Sequence, residues 1–394
     1  LDAALTPEPG RANRAFAEFM LLIAGWSMVA WCVWTFAESF HSSQWDLEVY
    51  RRAGATYAAG ADPYLRHGSE LPFVYPPALL RFFSLLAGVP SSVAQWGWLI
   101  AKIAALCTWL RAAGRTFEPF RNDYASVLFL LFAFNGAIYI DFITGNVSVF
   151  EQALLWTAFG SLLRQRYVVF TLLVVATAEV KLAPLLFLLL LLTVPMRPRL
   201  AEFGLGLALV GVSWGVEALI WPRLCFTFIH QAVRLDESGR VNPSTYAVAK
   251  ELAGWLGGIE PFWQEYAVLL YFLLAAGVVT WSGAVWWRRR VWLRANPAWG
   301  IVFATCSYAL VLPRFKDYAY ALLIVPAWMV IRRLEIARWG GWLAMFVLLP
   351  QSKSFLPTST LTERLGEYLP WLAALSLLIA VGLHVERSGR VPST

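Results

Sequence analysis

"FAEFMLLIAGWSMVAWCVWTFA", residues 16–37, is followed directly by "ESFHSSQWDLEVYRRAG", residues 38–54. A helix of about 20 apolar residues crosses the hydrocarbon core of a bilayer, so the first stretch reads as a span. It lacks a small-residue cleavage site of the A-x-A kind, which makes it an anchor rather than a removed leader. The second stretch sets an acid, Asp46, and two arginines where the chain leaves the lipid. Asp46 has two readings. It is an acid at a helix start, where unpaired N–H groups and the dipole favour negative charge, or it is a carboxylate that does chemistry at the membrane surface.

The same alternation runs the length of the chain. Of its 394 residues 59% are hydrophobic and 14% charged, with a mean hydropathy of +0.58; soluble domains carry roughly 25% charged residues. Apolar runs lie near 16–37, 92–112, 123–140, 146–163, 167–180, 182–195, 203–221, 264–287, 298–313, 318–331, 339–351 and 369–385. About twelve spans are expected, the pair 167–180 and 182–195 being short enough to dip only part-way. With the N-terminus inside, alternate short loops and tails hold eighteen of the 27 arginines, among them Arg111, Arg115, Arg164, Arg166, Arg197 and Arg288–Arg290. That is the positive-inside pattern. The net charge of +7 is thus a topology signal, and nucleic acid is excluded as a partner. The expected fold is all-α, a single polytopic domain over 1–394 in the cytoplasmic (inner) membrane.

Cys32, Cys107, Cys225 and Cys306 lie far apart with no CxxC spacing, and four scattered histidines make no ligand set. Neither a disulfide framework nor a metal site is expected.

Inner loops are short. Two outer loops are long, about 38–91 and 222–263, and no internal repeat is visible, so the site is expected at the outer face rather than at a midplane between repeats. Residues 46–59 have helical spacing, with Leu47, Tyr50, Ala53/Gly54 and Tyr57 on one side. Gly60 and Asp62-Pro63 end that helix, and Pro76-Pro77 restarts one in "ALLRFFSLLAG", too short to span and placed in the interface. A surface helix is expected from Arg223 to Leu235, and "ESGRVNPSTYAVAKEL" (237–252) reads as turn, N-cap and helix.

Several polar residues need a reason. "GLGLALVG" (204–211) lies inside a span and reads as small-residue helix packing rather than a phosphate loop. Lys181, in "ATAEVKLAPLLF" (176–187), either pairs with Glu179 or binds an anionic headgroup, since ionisable groups at membrane depth are functional candidates. Lys102, Glu151 and Glu217 also fall in spans, with partners open. "YIDFITGNVSVF" (139–150) offers Asp141, Asn146 and Ser148. "LPRFKDYAY" (312–320) puts Arg314, Lys316 and Asp317 in one outer turn, against the charge bias; the two cations hold a phosphate or are neutralised by Asp317.

Taken in order, "WDLEVYRRAG…GADPY…FVYPPALL", "GNVSVF" (145–150), "VKLAP" (180–184) and "VNPS" (241–244) resemble the outer-face motifs of glycosyltransferase family 87, over roughly residues 16–330. In "GNVSVF" Asn146 replaces the family's usual Gln, and "LPRFKDY" stands where members carry Ser-Pro and histidines. The resemblance implies a membrane-integral GT-C fold and transfer of a hexose, mannose by family habit, from a polyprenyl-phosphate donor to a hydroxyl of a glycolipid or glycan, with inversion. It implies Asp46 as general base, Lys181, Arg314 and Lys316 as donor-phosphate ligands, and Tyr50, Tyr64, Tyr75, Asp141, Asn146, Asn242 and Asp317 as substrate contacts. A lipid phosphate is already a good leaving group, so no metal or other cofactor is expected. Besides sugar donor and acceptor, the partners are membrane lipids. The competing readings are a secondary transporter or lipid flippase using Lys102, Glu151 and Glu217 as an ion path, and a non-catalytic subunit of envelope assembly.

Overall fold

The computed structural model describes residues 11–40, 44–65, 71–117, 124–234, 242–257, 263–333 and 360–389, all of whose regular elements are helical. The span expected over 339–351 lies outside them. From the N-terminus run α1 (Arg11–Ser39), α2 (Trp45–Ala58), α3 (Ala78–Ala87), α4 (Ser91–Thr116), α5 (Tyr124–Thr144), α6 (Ser148–Leu163) and α7 (Tyr167–Ala178). A 3-10 segment, Ala183–Leu189, leads into the short α8 (Leu190–Thr193). Then follow α9 (Leu200–Ile220), α10 (Pro222–Arg234), α11 (Thr245–Gly257), α12 (Trp263–Ala295) and α13 (Pro297–Val311). A second 3-10 segment, Asp317–Leu323, precedes α14 (Ile324–Arg333), and α15 spans Thr360–Ser388.

Four helices among the described residues are long and apolar enough to cross a bilayer: α4, α9, Tyr266–Ala295 of α12 and Glu367–Ser388 of α15. The bent pair Leu128–Thr144 and Ser148–Leu163 makes a fifth if counted as one span. Their outer faces are greasy. Leu207, Val212, Val216 and Leu219 on α9, and Leu269, Phe272 and Leu273 on α12, are exposed. A continuous apolar surface of this kind is unfavourable in water and is what a helix presents to lipid. The chain is a multi-pass membrane protein.

The main core joins α5, α6, α13, α14 and α15, with Trp156, Phe159, Phe303, Tyr320 and Trp328 buried in it. At its centre α5 breaks. Ala133 is extended (ψ 153°), and Phe134, Asn135 and Gly136 take left-handed φ of 54°, 58° and 66°. Asn and Gly accept that conformation, whereas an aromatic residue does so only where its surroundings hold it; the Phe134 ring stacks on Tyr320 at 5.9 Å. The break re-aims residues 137–144 before the chain bends by 120° into α6.

A smaller cluster caps one end, built from Leu47, Tyr50, Tyr64, Phe73, Tyr75, Leu80, Phe83, Trp98 and Val147. The α2 face expected from spacing is the one buried: Leu47, Tyr50, Ala53 and Gly54. Gly54 is required there, because a Cβ would collide with the Phe83 and Ser84 backbone of α3. Glu217 of α9 accepts a hydrogen bond from the Ala78 N–H (3.4 Å), satisfying one orphan donor at the α3 N-terminus. The short helices expected in 78–88, from 223 to 235 and within 237–252 appear as Ala78–Ala87, Pro222–Arg234 and Thr245–Gly257, and α3 and α10 leave Phe82, Leu85, Phe226 and Ile229 exposed.

Candidate active site

Everything polar in the capping cluster converges on the three-residue loop between α5 and α6. Gly145 begins it at φ +74°, and a Cβ there would stand 3.1 Å from the Cβ atoms of Gln44 and Leu47. Its absence lets the start of α2 press against the loop, where the Gln44 N–H bonds the Ile143 carbonyl at 2.7 Å. Asn146 follows. Its Oδ1 accepts from the Ser148 N–H (3.0 Å) and hydroxyl (2.9 Å), which fixes the amide so that Nδ2 faces α2. There Nδ2 donates to Asp46 Oδ2 at 2.7 Å and lies 3.2 Å from the Tyr50 and 3.4 Å from the Tyr75 hydroxyl. The two phenols bond each other at 2.9 Å.

Asp46 stands in the first turn of α2, but the cap position is Gln44, which makes no side-chain cap bond. The half-buried Asp46 carboxylate bonds instead to a residue 100 positions on. Burial pushes its pKa above the ordinary aspartate range. The Asn146 bond pulls the other way, as do the charges of Lys316, Lys102 and Lys181. Burial also pushes the Tyr50 and Tyr75 phenols up, so both stay neutral.

Lys181 meets the first turn of α6. Its ammonium bonds Ser148 Oγ (2.8 Å) and Glu151 Oε2 (2.7 Å) and lies 5.4 Å from the Tyr318 ring centre. The pairing with Glu179 is not found: the ammonium's carboxylate partner is Glu151. A polar chain therefore runs Glu151–Lys181–Ser148–Asn146–Asp46. Lys102, in α4, meets the Asp141 carboxylate (2.5 Å) and the carbonyls of Asp141 (2.5 Å) and Asn146 (2.9 Å). Lys102, Glu151 and Glu217 thus have separate partners and form no common path.

The 312–320 turn is clamped by "VNPS". Asn242 Oδ1 accepts from the Phe315 N–H (2.8 Å), the Ser244 hydroxyl donates to the Pro313 carbonyl (2.6 Å), and the Tyr320 hydroxyl donates to the Pro243 carbonyl (2.6 Å). Arg314 and Lys316 are half-buried and Asp317 is buried. Starting at Leu182, the residue after Lys181, an open apolar groove of about 730 Å³ is lined by Leu182, Leu186, Leu189, Phe203, Leu207 and Arg314.

Of the residues expected from sequence, Asp46, Tyr50, Tyr75, Asn146 and Lys181 come together, with Lys316 within electrostatic reach. Asp141, Tyr64 and Asn242 are buried one layer behind. The Tyr64 hydroxyl donates to the Tyr75 carbonyl (2.7 Å), and Asp141 has no solvent-exposed surface. Gln44, Lys102, Ser148 and Glu151 belong to the same constellation. Of these, Lys102 and Glu151 stood out as charges inside apolar runs and Ser148 by its place in "GNVSVF"; Gln44 had no local signal.

Neither a search of curated proteins nor one of solved structures finds a match. The sequence model of glycosyltransferase family 87 matches residues 73–313, more than half of the chain. The match takes in Tyr75, the Asn146 loop, Lys181 and the Asn242 clamp. Asp46 precedes it, and Arg314 and Lys316 follow it, so their place in the site rests on geometry. On that match, the chain belongs to glycosyltransferase family 87 and is a membrane glycosyltransferase.

Proposed function

We propose that this glycosyltransferase moves a hexose, mannose first among the candidates, from a polyprenyl-phosphate donor to a hydroxyl of a glycolipid or glycan. The reaction takes place at the outer face of the cytoplasmic membrane. The observation that carries the reading is the polar chain between Asp46 and Lys181: a buried-side carboxylate at one end and a half-open ammonium at the other, with the cationic 314–316 turn alongside. In the reaction the acceptor oxygen bonds to the anomeric carbon as the bond from that carbon to the phosphate oxygen breaks. Asp46 takes the acceptor's proton, and the electron pair leaves with the phosphate. Negative charge growing on the leaving group is met by Lys181, Arg314 and Lys316, cations held in place before the reaction begins. A carboxylate whose pKa is raised by burial is the better base for that step. Attack from the side opposite the phosphate inverts the anomeric centre.

The apolar groove starting at Leu182 supports a lipid donor. It offers an isoprenoid chain a greasy bed with one guanidinium, Arg314, in its lining. We read the architecture as the GT-C fold with about twelve spans, in which short apolar helices such as α7, Ala183–Thr193 and α13 pair up to complete crossings. The loops holding Asp46 and Asn242 are then outside and Arg288–Arg290 inside; cysteine labelling of whole cells tests this, and labelling of position 289 only from outside contradicts it.

The functional test is transfer by the protein in liposomes from polyprenyl-phosphate mannose to an extracted glycolipid acceptor. Asp46→Asn keeps size and the bond to Asn146 but removes the base. Transfer is expected to fall about 10²-fold or more, in line with the contribution of a general base, with the melting temperature unchanged. Normal transfer by the Asn variant removes Asp46 from the chemistry.

A further inference from the structure

The bend between α5 and α6 leaves backbone groups to satisfy at both helix ends: carbonyls at the end of α5 and N–H groups at the start of α6. One face of α4 supplies much of the answer. Trp98 and Lys102 stand one turn apart, the indole N–H bonding the Gly145 carbonyl (2.8 Å) and the ammonium bonding those of Asp141 and Asn146. Asp141 serves the other end, its Oδ2 accepting from the Val149 N–H at 3.3 Å while its Oδ1 meets Lys102. A cation thus sits at a helix C-terminus and an anion at a helix N-terminus, each where the dipole favours it.

As a source of stability this is a poor arrangement. Lys102 is 1% and Asp141 0% exposed, and removing two charges from water costs about as much as their attraction returns, so apolar residues of similar size often replace such pairs without loss. What an apolar pair does not supply is a grip on named carbonyls. The Asn146 carbonyl held by Lys102 is one residue's backbone away from the amide that donates to Asp46, and Ser148 fixes that amide's orientation only if the loop backbone is already in place.

We propose that Trp98, Lys102 and Asp141 are positioning residues for the transfer reaction: a buried seat that fixes the Asn146 backbone and, through its amide, the orientation of the Asp46 carboxylate. This rests on the reading of Asp46 as the general base. Asp141 then acts from behind the site without touching the sugar.

The double variant Lys102→Met/Asp141→Leu separates positioning from bulk stability, since it removes both charges at once and keeps the side chains' branching pattern. In liposomes it is expected to melt within a few degrees of wild type and to keep the donor KM within about threefold, while kcat falls about 10- to 100-fold, the scale of a small misalignment near reacting groups. The acidic limb of kcat/KM should move to higher pH as Asp46 loses a well-placed donor, with Lys181, Lys316, Tyr50 and Tyr75 still facing it. Wild-type kcat in the folded double variant overturns the proposal. Should the double variant not accumulate, Trp98→Phe deletes the indole bond to Gly145 while keeping an aromatic ring against Tyr50 and Phe150. It is expected to lower kcat by about threefold at constant KM, a fraction of the same misalignment effect, and an unchanged kcat there counts equally against the seat. If wild-type protein transfers sugar, Asp46→Asn does not, and these variants are normal, the seat alone falls. If Asp46→Asn is normal, the base assignment falls first.

Discussion

Two lysines bond neighbouring residues of the site, Lys102 the Asn146 carbonyl and Lys181 the Ser148 hydroxyl, and differ in what they leave open. Lys102 is sealed, ion-paired with the Asp141 carboxylate and hydrogen-bonded to two backbone carbonyls. Lys181 is 26% exposed, bonds Ser148 and Glu151, and faces the turn that carries Arg314 and Lys316. Both are charges paired with acids at membrane depth, yet only the second has a side from which a ligand can approach. Exposure of the ammonium, rather than the presence of an ion pair, separates a lysine that builds the site from one able to bind in it.

The largest effect is expected at the open lysine. Lys181→Ala should lower kcat/KM for a polyprenyl-phosphate donor by about 10²-fold, the scale of losing one preorganised charge at a leaving group, with KM raised and kcat reduced. The melting temperature should fall as well, because the buried Glu151 loses its ion-pair partner, so kinetics are compared on folded protein. Wild-type kinetics in a folded Lys181→Ala protein would reduce this lysine to a structural partner of Glu151 and erase the contrast with Lys102.

A smaller effect belongs to the link between the two. Asn146→Leu removes the donor to Asp46, and about a tenfold loss of kcat/KM is expected, as for one charge-assisted hydrogen bond. The sign of its pH effect is fixed. The Asn146 bond holds the Asp46 pKa down against burial, so removing it raises that pKa further, and the acidic limb of activity must move to higher pH. A limb that stays put or moves down places the titrating base elsewhere. The smallest effect lies in the layer behind: Tyr64→Phe deletes the bond to the Tyr75 carbonyl and should cost about 1 kcal/mol of stability, read as a lower melting temperature, with activity changed less than threefold. A large loss of activity there would turn Tyr64 from support into a substrate contact.

Much of the frame was legible in the chain. The buried stripe of α2 follows from 3.6-residue spacing, and Pro76-Pro77 marks the start of α3. The cationic 312–320 turn stood out by breaking the charge bias. The partners did not show. Lys181 pairs with Glu151, 30 positions away, rather than with Glu179 two positions away. Lys102 finds Asp141 at a separation of 39. Both choices are made by how α4, α6 and the region around residue 181 pack around the bend at residues 145–147, which brings together positions far apart in the chain. Spacing also says nothing of orientation. Asp141 and Tyr64 have the residue types of substrate contacts, and the fold turns both inward.

The account stands most directly on where the donor's phosphate sits. A structure of the protein in lipid nanodiscs with a non-hydrolysable polyprenyl-phosphonate hexose is the measurement that reads it. The phosphonate oxygens should lie within hydrogen-bond distance of Lys181, with Arg314 or Lys316 on the far side, the lipid tail in the groove lined by Leu186 and Phe203, and the Lys102–Asp141 pair unchanged. The anomeric carbon should face Asp46 from the side opposite the phosphonate. A headgroup bound away from Lys181, or a sugar whose anomeric carbon is turned from Asp46, would contradict the account.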